Sequence, residues 1–191
     1  MAEQREFISL RIAILTVSDT RVLTDDKSGQ TLQDRIVAAG HSVADRQIAK
    51  DDVAKIRRIV KAWCKRDDVD VIISTGGTGL TGRDVTIEAM RPLFEKEIEG
   101  FSTLFHMISF PKIGTSTVQS RATAGVMKGK YIFCLPGSPG ACRDAWDEIL
   151  KYQLDYRHPP CNFVEIMPRL GEHQKRKRAA RANPAKGPPR P

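Results

Sequence analysis

No part of this chain stays uncharged for long. The longest uncharged runs are 12 residues, the segment 100–111 among them. A membrane-spanning helix needs about 20 consecutive apolar residues, so a helical span is excluded. The amino terminus, MAEQREFISLRIAILTVSD, lacks a basic start feeding a long apolar stretch, and it lacks a small-residue cleavage site. No secretion signal is expected. Cysteine is sparse: four residues, at 64, 134, 142 and 161, with no C-x-x-C, while the four histidines at 41, 106, 158 and 173 stand singly. Such spacing gives no support to a zinc site. Cys64 and Cys134 fall in apolar stretches and read as buried free thiols, which suits a reducing cytoplasm.

What is present fits one α/β domain. The 191 residues are 40% apolar and 28% charged, enough for a sizeable core. The net charge of +8 invites a nucleic-acid reading, but it is unevenly placed. Residues 172–191 carry seven Lys/Arg and one acid, leaving 24 basic and 22 acidic side chains in the body. That carboxy-terminal segment has no Leu, Ile, Val or aromatic residue. It cannot bury enough surface to offset its ordering entropy, so a domain over 1–171 and a basic disordered tail over 172–191 are expected. Without aromatics for base stacking, the tail is not expected to recognise a specific nucleic acid.

Strand and helix patterns alternate along the body. Residues 11–17 (RIAILTV), 69–75 (VDVIIST) and 131–135 (YIFCL) are nearly continuous apolar runs, as expected for strands covered on both faces. Residues 42–48 read as a more polar strand at an edge. Helices are expected at 30–39, with Leu32, Ile36, Val37 and Ala39 inward, and after residue 52, with Asp51 or Asp52 as its cap. Others follow near 86–94, interrupted by Pro92, at 100–110 and at 141–154. The segment 100–110 is apolar on more than one side, which points to subunit contact, with Phe105 as a candidate for the seam. The alternation implies a three-layer α/β domain, a mostly parallel sheet with helices on both faces.

Ligands of open α/β sheets bind beyond the carboxyl ends of strands. Three loops at such ends are rich in small or polar residues: 18–29, 76–84 and 136–140. The central one contains Gly77-Thr-Gly79-Leu-Thr-Gly82, a G-x-G-x-x-G by the letter. It follows the third strand rather than the first and runs into Arg83–Asp84, which argues against a dinucleotide fold. A P-loop would need Lys then Ser/Thr after Gly82, and both are missing. The glycines could merely shape a turn. Four of them within seven residues (76, 77, 79, 82) exceed what one turn needs, and backbone N–H groups exposed beside a phosphate would explain the excess.

The string STGGTGLTGRDVTIEA at 74–89 resembles the signature of the MoaB/MogA family of molybdenum cofactor biosynthesis. The resemblance extends over about 11–166. It includes ILTVSDTR, the DDKSG loop, IGTSTVQSRATAG at 113–125, LPGSPGACRDAWDEI at 135–149 and PCNF at 160–163, the last three closer to MoaB than to MogA. It implies a domain that assembles as a trimer or hexamer. It also implies an enzyme that transfers AMP from ATP to the phosphate of molybdopterin with release of pyrophosphate, aided by Mg2+. A pterin-binding relative without turnover is the alternative, and other proteins of the same biosynthesis are possible partners.

Carried over position by position, the resemblance assigns Asp51 and Asp84 to catalysis and to the metal. It assigns Thr75, Gly76, Gly77, Thr78 and Gly79 to the pterin substrate, together with Ser120, Arg121, Pro136, Gly137, Ser138 and Pro139. Ser18, Asp19, Ser28 and Gly29 fall in the loop implied to close over nucleotide. The chain departs from MogA-like relatives at Gly82 and Ile87, where those carry proline, and at Ala122, where some carry serine.

Overall fold

The computed structural model describes residues 5–172. The expected tail therefore lies outside the described residues apart from Glu172, whose carboxylate accepts from Arg169 Nε at 2.8 Å. A six-stranded sheet has the order β2-β1-β3-β6-β5-β4. Its strands are β1 Arg11–Val17, β2 Ser42–Ala49, β3 Val71–Thr75, β4 Lys96–Glu97, β5 Thr123–Met127 and β6 Lys130–Leu135. The four strands β2, β1, β3 and β6 run parallel. Then β5 turns back against β6, and β4 against β5. The polar β2 lies at one edge, as its composition predicts.

Alternation along each buried strand builds two cores. Ile12, Ile14, Val71, Ile73, Tyr131 and Phe133 face one side. There they meet Leu32 and Ile36 of α1 (Lys27–Ala38), Phe101 and Phe105 of α4 (Glu99–Ile113), and Cys142 and Ala145 of α5 (Pro139–Ala145). Ala13, Leu15, Ile72, Ile132 and Cys134 face the other side. Their partners are Ile56, Val60 and Trp63 of α2 (Val53–Trp63) and Ile87, Ala89 and Met90 of α3 (Thr86–Met90). This is the expected three-layer arrangement, and Cys64 and Cys134 are buried free thiols within it. No helix among the described residues is long and apolar enough to cross a membrane.

Several boundaries differ from the sequence pattern for local reasons. Helix α1 begins at Lys27, three residues before the pattern suggests, because the buried Asp26 carboxylate accepts from the Gly29 N–H at 2.9 Å and caps it. Val37 is 59% exposed rather than inward. The last long helix contains a π turn, Trp146–Leu150, before ending at Gln153. Pro92 ends α3 early and a 3-10 turn, Arg91–Leu93, follows.

Strands β4 and β5 carry no apolar alternation that the sequence exposes. Gly125, in the middle of β5, is required by packing: a Cβ there would fall 2.2 Å from the Phe94 ring. The hairpin between β5 and β6 turns through Lys128 and Gly129, both at positive φ (50° and 76°), the geometry of a tight two-residue turn.

Helix α4 divides its apolar residues between two destinations. Phe101 and Phe105 are buried in the core, whereas Met107, Phe110 and Ile113 are more than half exposed. Phe105 is therefore a core residue and not part of a subunit seam. Phe105→Ala is expected to cost about 3–5 kcal/mol in urea denaturation, as for a large buried aromatic. Val37→Ala should stay within about 0.5 kcal/mol of wild type, as for an exposed side chain.

Candidate active site at the strand ends

The strand order reverses between β1 and β3, and ligand crevices of open α/β sheets form outside the carboxyl ends at such a point. Three loops meet there. Gly76 has φ +96°, and a Cβ on it would fall 2.2 Å from the Val17 carbonyl oxygen. Gly77 has φ +61°, and its Cβ would fall 2.5 Å from both Asp51 Oδ1 and Thr86 Oγ1. Only glycine allows both the conformation and the approach. Across the crevice, Gly137 lies so close that its Cβ would sit 3.0 Å from Gly76 Cα. The result is a cavity of about 520 Å3 floored by backbone and walled by polar side chains.

Of the residues expected at the site, the cavity brings together Ser18, Asp19, Asp51, Gly76, Gly77, Asp84 and Gly137. Ser120 and Arg121 line a neighbouring cavity of about 550 Å3, with Glu88, Arg91 and His106. The others hold the walls in place. Thr75 Oγ1 donates to the Pro136 carbonyl at 2.9 Å, and Ser28 Oγ donates to the Gly137 carbonyl at 2.8 Å. Gly29 serves the α1 cap. Ser138 caps α5, accepting from the Ala141 N–H at 3.1 Å, and Pro139 opens that helix. Gly79 packs against the Asp84 carboxylate. Arg121 ties the two cavities together: its Nε donates to the Thr78 carbonyl at 3.0 Å, and its guanidinium pairs with Glu88.

Neither key aspartate is spent on capping a helix. Asp52, not Asp51, caps α2, accepting from the Lys55 N–H at 2.8 Å. Helix α3 has no side-chain cap. The Asp84 carboxylate instead accepts from Thr81 Oγ1 at 2.6 Å and from the Thr81 N–H at 3.0 Å. Those bonds hold it below the usual carboxylate range. Asp51 goes the other way, raised by burial and then by the negative charges of Asp19 and Asp84.

Three further residues were not singled out by sequence reasoning. Arg21 donates to Ser28 Oγ at 3.1 Å and to the Gly137 carbonyl at 3.3 Å. Thr81 holds Asp84, and Arg83 pairs with Asp19 at 2.7 Å. Each lies within a loop already marked by composition, but a lone arginine or threonine there carries no spacing signal.

Among the described residues, no three His, Cys, Asp or Glu side chains are gathered so as to hold a metal on their own. Magnesium does not need such a cage. It binds through one or two carboxylates, with waters and substrate phosphates completing the shell. A half-buried Asp51 raised by its acidic neighbours is a donor that gains from a nearby cation, so Asp51 and Asp84 fit that ion chemically.

The same feature fixes a testable sign. Because the folded Asp51 carboxyl is raised above its ordinary value of 3.8, its charge opposes folding at higher pH. Without divalent metal, Asp51→Asn should melt higher than wild type at neutral pH, and the gain should vanish as pH falls through the carboxyl's titration. Asp52→Ala should instead lower stability by about 1 kcal/mol through loss of the cap. Thermal melts of both variants across pH check this.

The sequence and fold agree with known proteins. A family model described as "Probable molybdopterin binding domain" matches residues 13–156. Molybdenum cofactor biosynthesis protein B of Escherichia coli K12 is 54% identical over 158 residues, covering 83% of this chain and 93% of that protein. The Bacillus anthracis protein of the same name is 47% identical over 148 residues, covering 77% and 88%. A crystal structure of a molybdenum cofactor biosynthesis protein B superposes with a TM-score of 0.79 at 41% identity, covering 88% of this chain and 99% of that one. The tungsten cofactor synthesizing protein MoaB from Pyrococcus furiosus gives 0.68 at 33% identity, covering 74% and 91%. With three quarters of its length in the family model and relatives this similar across most of it, the chain belongs to the molybdopterin-binding domain family that includes the MoaB and MogA proteins.

Proposed function

We propose that the protein acts in molybdenum cofactor biosynthesis as a molybdopterin adenylyltransferase. The observation that carries this reading is the pairing of Asp51 and Asp84, both free of helix capping, beside glycine-loop backbone at the point where the strand order reverses. In the reaction, an oxygen of the pterin phosphate attacks the α-phosphorus of ATP. The bond from that phosphorus to the bridging oxygen breaks, and pyrophosphate leaves with the electron pair. The protein's part is positioning and charge.

The triphosphate lies over the Gly76–Gly77 backbone in this reading, flanked by the 18–29 loop with Ser18 and Asp19. The pterin extends toward the neighbouring cavity, where Ser120 and Arg121 supply a hydroxyl and a guanidinium suited to an anion. Mg2+, held by Asp51 and Asp84, would neutralise the charge that builds between attacking and leaving oxygens. Among the described residues nothing lies within 4 Å of a Cβ placed on Gly82, so a glycine there instead of proline gives up no packing contact at that atom.

An oligomer, trimer or hexamer, belongs to the same proposal. Leu104, Met107, Phe110, Ile113 and Val118 are 41–76% exposed on and just after α4, more apolar surface than an isolated subunit would leave in water. Phe110→Glu should shift sedimentation toward the monomer; an unchanged oligomer would place the seam elsewhere.

Activity is tested with molybdopterin, ATP and magnesium, followed by assay for adenylylated pterin. Asp51→Asn and Asp84→Asn should each slow transfer at least tenfold, about 1.4 kcal/mol of barrier, while the fold survives. Wild-type rates in both at saturating magnesium would remove them from the mechanism. A wild-type protein that binds pterin and forms no product would be the non-catalytic relative.

A further inference from the structure

Two arginines line the main cavity, and they are committed very differently. Arg21 spends its guanidinium on Ser28 and the Gly137 carbonyl. Arg83 has one hydrogen-bond partner among the described residues: its Nη2 donates to Asp19 Oδ2 at 2.7 Å. The Arg83 side chain is otherwise open, 73% exposed at the cavity mouth. In the neighbouring cavity, Arg121 is occupied by Thr78, Asp84 and Glu88. Arg83 is thus the arginine of the main cavity with donors to spare.

Its present position also matters. Asp19 accepts through its other oxygen from the Asp51 N–H at 3.2 Å. The Arg83–Asp19 pair therefore links the glycine loop to the loop after β1 and to the start of α2. Of the charges acting on Asp51, Asp19 and Asp84 have the same sign and Arg83 the opposite one. Arg83 supplies the positive charge that this acidic group would otherwise take from a bound cation. Exposed ion pairs of this kind are weak and open readily. A guanidinium matches phosphate oxygens with a fork of donors, and a triphosphate offers more negative charge than one carboxylate.

We propose that Arg83 is a positioning cation with two stations: Asp19 in the nucleotide-free protein, and the outer phosphates of a nucleoside triphosphate once it binds. This rests on the reading of the cavity as a nucleotide site. Leaving Asp19 moves the positive charge off the acids as the ligand arrives, so the two loops exchange a contact with each other for contacts with the ligand. The consequence is a pair of effects with opposite signs. Without Arg83, the acids attract a divalent cation more strongly in the absence of nucleotide, while the triphosphate loses a partner. A residue that only holds the loops in shape would weaken both ligands together.

The test uses Arg83→Gln and Arg83→Lys in the full chain, with thermal melts to show that both fold. Mn2+ alone is titrated into the nucleotide-free protein, and ATP is titrated separately in the presence of a chelator. For Arg83→Gln, Mn2+ affinity should rise at least twofold and ATP affinity should fall at least fivefold. Arg83→Lys keeps the charge and should keep wild-type Mn2+ affinity while losing part of the ATP affinity. Unchanged constants, shifts in the same direction, or a wild type that binds neither probe would overturn the proposal. Opposite shifts in a protein that forms no adenylylated pterin would retain the Arg83 assignment and remove the transferase reading.

Discussion

Everything at this site depends on three loops touching with no side chain between them. Gly76 lies against the end of β1, Gly77 against Asp51 and Thr86, and Gly137 against Gly76. Any Cβ at the first two would meet backbone or a fixed polar group at 2.5 Å or less. That contact forms the cavity floor from backbone, and it brings acids from separate loops near one another. The parallel strands β1, β3 and β6 make it possible by ending side by side.

The electrostatics follow from that closeness. Asp84 and Asp19 are each held by donors, Thr81 for one and Arg83 for the other, and both titrate below the ordinary carboxylate range. Among the described residues no side-chain donor holds Asp51 in this way, and it bears the cost, raised by burial and by its acidic neighbours. A group in that condition is suited to sharing a cation with phosphate oxygens. The structural duties that could have explained these acids fall elsewhere: Asp52 caps α2, and Asp26, buried under Thr16 and Arg46, caps α1.

Much of this was legible in the sequence, and the gaps have physical causes. The strands covered on both faces announced themselves as apolar runs, and β1 has the boundaries that its run predicts. The three site loops were marked by glycine and small residues at strand ends. Strand β5 was not visible, because its glycine serves Phe94 rather than a turn and interrupts a five-residue segment that opens on Thr and Ala. Helix α1 starts early because its cap, Asp26, sits inside a run of polar residues where several could serve. On α4, the pattern showed excess apolar surface but could not sort it. Packing takes Phe101 and Phe105 inward and leaves Met107 and Phe110 outside. Sequence spacing also could not show that Arg83 reaches back to Asp19, 64 residues earlier in the chain.

The proposed reaction is transfer of a nucleotidyl group from ATP to the pterin phosphate. It is tested most directly by following labelled ATP through a single turnover with molybdopterin and magnesium. The account predicts that a label on the α-phosphorus appears in the pterin product while a label on the γ-phosphorus appears in pyrophosphate, in equal amounts. Gamma label in the pterin, or release of inorganic phosphate in place of pyrophosphate, would contradict it.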